Sequence, residues 1–114
     1  MLERFVATPL MHRLVAHGDM LHVAGILASD LSQGMEGQTT EALTTIGALL
    51  TARGSGKDRI LSATAYVTDL GRKEEMNCAW QAFFSPDELP TRATIGVADL
   101  GPGVLIEIVV TAAR

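Results

Sequence analysis

The sequence predicts an α+β fold, a mixed β-sheet carrying two helices on one face. Three observations predict it. Apolar residues recur at helical spacing in two stretches, from Gly37 to Arg53 and from Asp69 to Phe83. Runs rich in β-branched residues flank both stretches and close the chain. The resulting order, ββαβαββ, sets each helix between two strands, and such crossovers pack on one face of a sheet. At 114 residues the chain has the length of one ordinary domain, residues 1–114, able to bury a core of its own.

The elements follow in order. Two apolar runs between Leu14 and Ala28 surround His17-Gly18-Asp19, a hairpin turn in which Gly supplies the positive φ. The second run, "MLHVAGILA", is apolar on both faces apart from His22 and is expected to be buried on both sides. "SDLSQGMEG" is polar and contains glycine, and it predicts a loop. From Gly37, residues Ala42, Leu43, Ile46, Leu49 and Leu50 form a helical stripe, with Gln38, Glu41 and Thr45 on the opposite, polar side. Arg53 is expected to close the last turn, with Gly54 as its C′ residue. "RILSATAYVTDL" is the next strand. Asp69 then caps a second helix whose apolar stripe is Met76, Ala79, Trp80 and Phe83. "SPDELP" ends that helix, and its Asp87 and Glu88 read as a solvated loop. "TRATIGVA" and "VLIEIVVTAA", joined by "DLGPG", are the last two strands, and so short a connection places them side by side. The sheet face away from the helices is also apolar by pattern, and no element remains to cover it. Other copies of the chain are expected to do so, as in a homo-oligomer whose sheets pack around a shared core.

Bulk properties exclude several function classes. The hydrophobic fraction is 47% and the charged fraction 19%, which is globular rather than disordered. The net charge of −4, with no basic cluster, argues against a nucleic-acid surface. The N-terminus lacks a signal-peptide run and no stretch reaches membrane-spanning length, so no membrane partner and a cytoplasmic location are expected. Cys78 is the single cysteine, which excludes an internal disulfide and a Cys-rich metal framework; on the second helix it reads as a buried small hydrophobe. Trp80 and Phe83 read as core or interface residues. His12, His17 and His22 are five apart and alternate faces on strands, so they form no metal cluster. "RGSGKD" fails the phosphate-loop pattern, because Thr51 takes the first Gly position, Asp58 stands where Ser or Thr is needed, and a helix precedes it.

Two charges stand out. Glu107 sits in the middle of "VLIEIVVTAA", where burying an unpaired carboxylate costs on the order of several kcal/mol. Alternation puts Arg92, Thr94 and Gly96 on one side of their strand, and Glu107 on a side with Leu105 and Val109. Two readings follow. In the structural one, Arg92 and Glu107 satisfy each other, or both face solvent at a sheet edge. In the other they form a site. Arginine presents a planar fork that suits a small carboxylate, and glutamate holds and polarises a water beside it, an arrangement for hydrolysing a small acid.

"LHVAGILA", "LSATAYVTDL", "MNCAWQAFF", "LPTRATIGVADL" and "VLIEIVVTAA" resemble the YjgF/RidA family, the reactive-intermediate deaminases, earlier labelled L-PSP endoribonucleases. The resemblance runs in order from about His12 to Arg114. Its most specific part is Pro90-Thr91-Arg92-Ala93-Thr94, followed fifteen residues after the Arg by Glu107. "GQT" at Gly37 to Thr39 and "NCAW" at Asn77 to Trp80 look like a subgroup distinct from the archetype. The resemblance implies a chorismate-mutase-like fold and a homotrimer with three clefts between subunits. It implies hydrolysis of enamine and imine intermediates such as 2-aminoacrylate to 2-keto acids and ammonium, with no metal or organic cofactor. The implied partner is a small carboxylate-bearing imine or keto acid. By the same resemblance Arg92 grips the substrate carboxylate, the Thr94 backbone contacts the ligand, Glu107 positions water, and Gly25 and Asn77 line the cleft. Met11 and Ala24 stand where archetypes carry Tyr and Ser, and losing those hydroxyls changes which acid fits or weakens the deaminase activity. Two alternatives stay open: a non-catalytic trimeric module that binds small acids or a protein partner through the same cleft, and the ribonuclease or translation-inhibitor activity of the older label, against which the negative charge weighs.

Overall fold

Six strands and two helices follow one another as β1 (Leu2–Ala7), β2 (His12–His17), β3 (Met20–Ile26), α1 (Met35–Thr51), β4 (Ile60–Val67), α2 (Lys73–Phe83), β5 (Thr91–Gly96) and β6 (Ile106–Ala113). They are described here from a computed structural model that covers residues 1–114. The strands form one sheet in the order β1-β2-β3-β6-β4-β5. Only β4 and β5 pair in parallel; every other neighbouring pair is antiparallel. Because β3 and β4 both run antiparallel to β6, they are parallel to each other, and each helix crosses between parallel strands. The molecule is 21 Å thin in its shortest dimension, the depth of one sheet and one layer of helices.

The predicted order recurs and is preceded by a strand, β1, absent from the sequence reading. "LERFVA" mixes charges with apolar residues, and only Phe5 in it is half-buried, so it carries no core signal. Its pairing partner β2 creates it: Phe5 lies opposite Leu14, and Arg53 lies over the Phe5 ring at 3.9 Å. Arg53 therefore does not close α1, which ends at Thr51. Gly54, with φ of +77°, does take the left-handed position beyond the helix end. Gly18, at +60°, does the same in the β2–β3 hairpin, whose flanking residues His17 and Met20 pair directly.

Three further expectations are corrected. Helix α1 starts at Met35 rather than Gly37, because Met35 is fully buried and anchors the first turn. Asp69 caps a short 3-10 turn, Leu70–Arg72, by accepting from Gly71 N at 2.9 Å; α2 then begins at Lys73. Strands β5 and β6 are not neighbours. Their connection is not a tight hairpin: residues 97–105 carry the chain past β4, which lies between them.

The core lies between sheet and helices. Ile106, Ile108, Val110 and Ala112 of β6 point to it, as do Ala63, Ala65 and Val67 of β4 and Leu14, Leu21, Val23 and Ile26 of β2 and β3. From the helices come Leu43, Ile46, Leu50, Met76 and Trp80. Alternation sends Glu107, Val109 and Tyr66 to the other face, where nothing in the chain covers them and all are half-buried. Leu43 has no exposure at all. Leu43→Ala is expected to lower unfolding free energy by about 2–5 kcal/mol, measured by denaturant titration, without changing the secondary structure seen by circular dichroism.

Candidate functional site

Arg92 and Glu107 stand on opposite faces of the sheet. Arg92 pairs with Ala63 of β4, which is buried against the helices, so its side chain points to the helix side. There the guanidinium carbon lies 5.1 Å from the centroid of the Trp80 ring. Glu107 pairs with Tyr66 and lies between buried Ile106 and Ile108, so it points to the uncovered face. The reading in which the two satisfy each other is therefore overturned by alternation and by β4 lying between their strands. The two ion pairs of the chain are Arg72–Glu75 and Arg114–Glu3, so neither Arg92 nor Glu107 has an ionic partner in its own subunit.

On the helix side, Arg92 closes a cavity of about 310 Å³ together with Asn77, Trp80, Gln81, Leu89 and Pro90. Asn77, Trp80 and Gln81 share a face of α2 through three- and four-residue spacing. Partial burial pushes the Arg92 guanidinium down from its ordinary value, although arginine stays charged at neutral pH. Asn77 donates from Nδ2 to Glu74 at 3.1 Å, while its Oδ1 is buried without a partner. The cavity thus presents an unpaired cation and a flat aromatic wall. Thr94 follows Arg92 on β5, which has β4 as its single strand neighbour.

The second group gathers around Glu107. Between Val23 and Ile26 the register of β3 against β6 slips, three steps on β3 matching two on β6. This bulge holds Ala24 and Gly25, and it brings the Gly25 Cα under Glu107: a Cβ there would overlap the Glu107 carboxylate. Glycine is thus the residue that admits the carboxylate at this position. Gly25 also borders a cavity of about 300 Å³ with Arg13 and Glu41. Met11 is exposed just ahead of β2. The residues named from the sequence therefore fall into two groups, Arg92, Thr94 and Asn77 on one side and Gly25, Ala24 and Glu107 on the other, which one subunit does not bring together.

Trp80, expected as a core or interface residue, is also the surface on which Arg92 rests. Its signal was present in the spacing from Asn77, but only the fold sets β5 beside α2. Gln38 was assigned to the polar side of α1 and is instead fully buried. Cys78, expected to be buried, is exposed, because α2 turns Met76, Ala79 and Trp80 inward and leaves position 78 outside. No three His, Cys, Asp or Glu side chains converge in the arrangement of a metal site, and no helix is long and apolar enough to cross a membrane.

The fold agrees with that of known proteins. A family model described as Endoribonuclease L-PSP matches residues 2–114. A RutC family protein of Haemophilus ducreyi is 32% identical over 113 residues, covering 99% of this chain and 97% of that protein. The RutC family protein YoaB of Escherichia coli is 32% identical over 100 residues, 88% of this chain and 87% of its own. Among solved structures, NMB1025 of Neisseria meningitidis, a member of the YjgF protein family, superposes with a TM-score of 0.92 at 28% identity, over 100% of this chain and 95% of that one. Rv2704 of Mycobacterium tuberculosis, of the YjgF/YER057c/UK114 family, superposes with a TM-score of 0.88 at 26% identity over 100% of both. This is the α+β fold of the YjgF-type proteins. The chain belongs to the Endoribonuclease L-PSP family, whose members here carry the names RutC and YjgF.

The Cys78 thiol is pushed above its ordinary value, first by the Glu36 carboxylate and then by burial and Glu74. A raised thiol has less thiolate at a given pH. Glu36→Gln is expected to lower that value and to speed reaction of Cys78 with an aromatic disulfide reagent between pH 7 and about 9, the range in which thiols ordinarily titrate, measured by the rate of thiolate release.

Proposed function

We propose that this protein hydrolyses enamine and imine intermediates such as 2-aminoacrylate to 2-keto acids and ammonium, in clefts between the subunits of a homotrimer. The observation that carries this reading is the placement of Arg92 and Glu107 on opposite faces of one sheet, each without an ionic partner. A second copy whose β5 edge meets the uncovered face would set Arg92, Thr94 and Asn77 of one subunit against Gly25, Ala24 and Glu107 of another. The half-buried, uncovered face supports such packing.

The chemistry follows from the groups. The enamine first tautomerises to its imine. Arg92 takes the substrate carboxylate through two parallel N–H donors, with Trp80 behind the guanidinium keeping it aimed. The Thr94 backbone and Asn77 border the bound molecule. Glu107 accepts a proton from water as the water oxygen bonds to the imine carbon, and the C=N pair moves to nitrogen. The resulting carbinolamine takes that proton on nitrogen; its hydroxyl proton then passes by way of the same carboxylate to the nitrogen as the C–N bond breaks, so the ketone forms and ammonia leaves to become ammonium with a proton from solvent. Glu107 ends unchanged, so one water is consumed for each ammonium and keto acid released.

Met11 and Ala24 favour a second reading. They bring an apolar chain and a methyl where a hydroxyl would help orient the water or the amine, and a cleft without those donors is suited to binding a small keto acid without turnover. A ribonuclease role has least support, since the net charge is −4.

The test couples a pyridoxal-phosphate serine or threonine dehydratase to detection of pyruvate or 2-ketobutyrate. The wild type is expected to speed keto-acid release. Arg92→Ala is expected to remove that effect while the assembly and its melting temperature stay close to wild type, because no ion pair in the subunit is broken. Unchanged release with wild-type protein would sink the deaminase reading and leave the small-acid-binding module, which titration with 2-ketobutyrate then tests.

A further inference from the structure

We infer that Gln38 is a positioning residue for Glu107, an inference that rests on the catalytic reading of Glu107 given above. Gln38 lies in the first turns of α1 and is fully buried. Its amide is nearly saturated. Nε2 donates to Gln33 O at 3.0 Å and to Gly103 O at 3.0 Å, and Oε1 accepts from Leu105 N at 3.0 Å. A primary amide offers two donors and two acceptor sites, so three of the four are used.

Two of these bonds reach the segment that enters β6. Gly103 and Leu105 lie four and two residues before Glu107, in a segment whose side-chain anchors are buried Val104 and Leu105 packed against the core. Gly101 and Gly103 both have left-handed φ, at +109° and +77°, and Pro102 between them has no N–H to donate. The remaining backbone tie to the body of the protein is Thr68 N to Leu105 O at 3.1 Å. At the other end the Glu107 carboxylate occupies the space that a side chain at Gly25 would take. A shift of the Leu105 backbone is transmitted along an extended strand, so the amide of Gln38 sets where the carboxylate stands. This explains why a polar residue is tolerated at a fully buried helix position: it pairs with the Gly103 carbonyl and the Leu105 N–H.

The experiment compares wild type, Gln38→Leu and Gln38→Glu as purified assembled protein, with melting temperature and sedimentation establishing fold and assembly. Two readouts are taken, backbone amide exchange over residues 104–107 and steady-state turnover of 2-aminoacrylate. Both variants are expected to exchange faster over 104–107 while β4 and α2 keep their protection. Turnover is expected to fall about a hundredfold in kcat with KM near wild type, since sub-ångström alignment is lost while the Arg92 clamp is untouched. In Gln38→Glu, kcat relative to wild type at the same pH is expected to recover as pH falls, because a protonated carboxyl donates one O–H again while still accepting from Leu105 N; Gln38→Leu has no such recovery. Unchanged exchange over 104–107, or kcat and KM moving together in folded variants, overturns the inference. If Gln38→Leu does not fold, Gln38→Glu below and above its carboxyl titration decides alone. A wild type without turnover sinks the deaminase reading only; the inference is then decided by exchange together with the Glu107 carboxyl chemical shift, and an unmoved shift overturns it.

Discussion

Strict alternation along β6 is the constraint on which the rest of the structure depends. Ile106, Ile108, Val110 and Ala112 must all face the helices to complete the core, and none of them is more than slightly exposed. With period two, Glu107 has no choice of side. The same rule acts on β5 through its pairing with β4, where Arg92 shares a face with buried Ala63 and therefore turns toward α2. Two opposite charges that look like partners in the sequence are thereby held apart by the sheet itself. An isolated buried pair would cost desolvation on both sides; the sheet instead leaves each charge half-buried at a surface where something else can meet it.

The neighbourhoods of the two charges are built by different means. Arg92 is supported by packing: its guanidinium lies on Trp80, a buried member of the core, so orientation comes from a side chain held by its neighbours. Glu107 is supported by backbone geometry. A bulge in β3 brings a glycine beneath it, and the connection before β6 is tied down by the Gln38 amide. Packing tolerates substitution of similar volume, whereas hydrogen-bond geometry and a missing Cβ do not. The Glu107 side is accordingly the more easily disturbed of the two.

The uncovered face of the sheet and the unpaired charges are aspects of one situation. A two-layer chain buries its helices on one side and leaves a half-buried sheet on the other. Residues there gain full burial only from another molecule, and a polar group at the rim of such a contact, such as Glu107, is neither in bulk water nor in a dry core. Those are the conditions under which a carboxylate can hold a water and an arginine can take an anion without being neutralised first.

Much of this was legible in the residues. The hairpin at Gly18, both helices, the strands from β2 onward and the oddity of Arg92 and Glu107 as charges within strands all follow from periodicity and from charges where apolar residues are expected, because these are local properties. What the residues did not disclose was set by partners distant in sequence. β1 has no core pattern and exists because β2 pairs with it. Gln38 looks like a surface residue until the β5–β6 connection is laid across it, and Arg53 looks like a helix end until Phe5 arrives beneath it. The sequence by itself determined the elements from β2 onward and which two charges need explanation. Only the tertiary structure decided that β4 separates those charges and that they face opposite ways, since strand order and the face a side chain occupies depend on pairing between segments that no local pattern records.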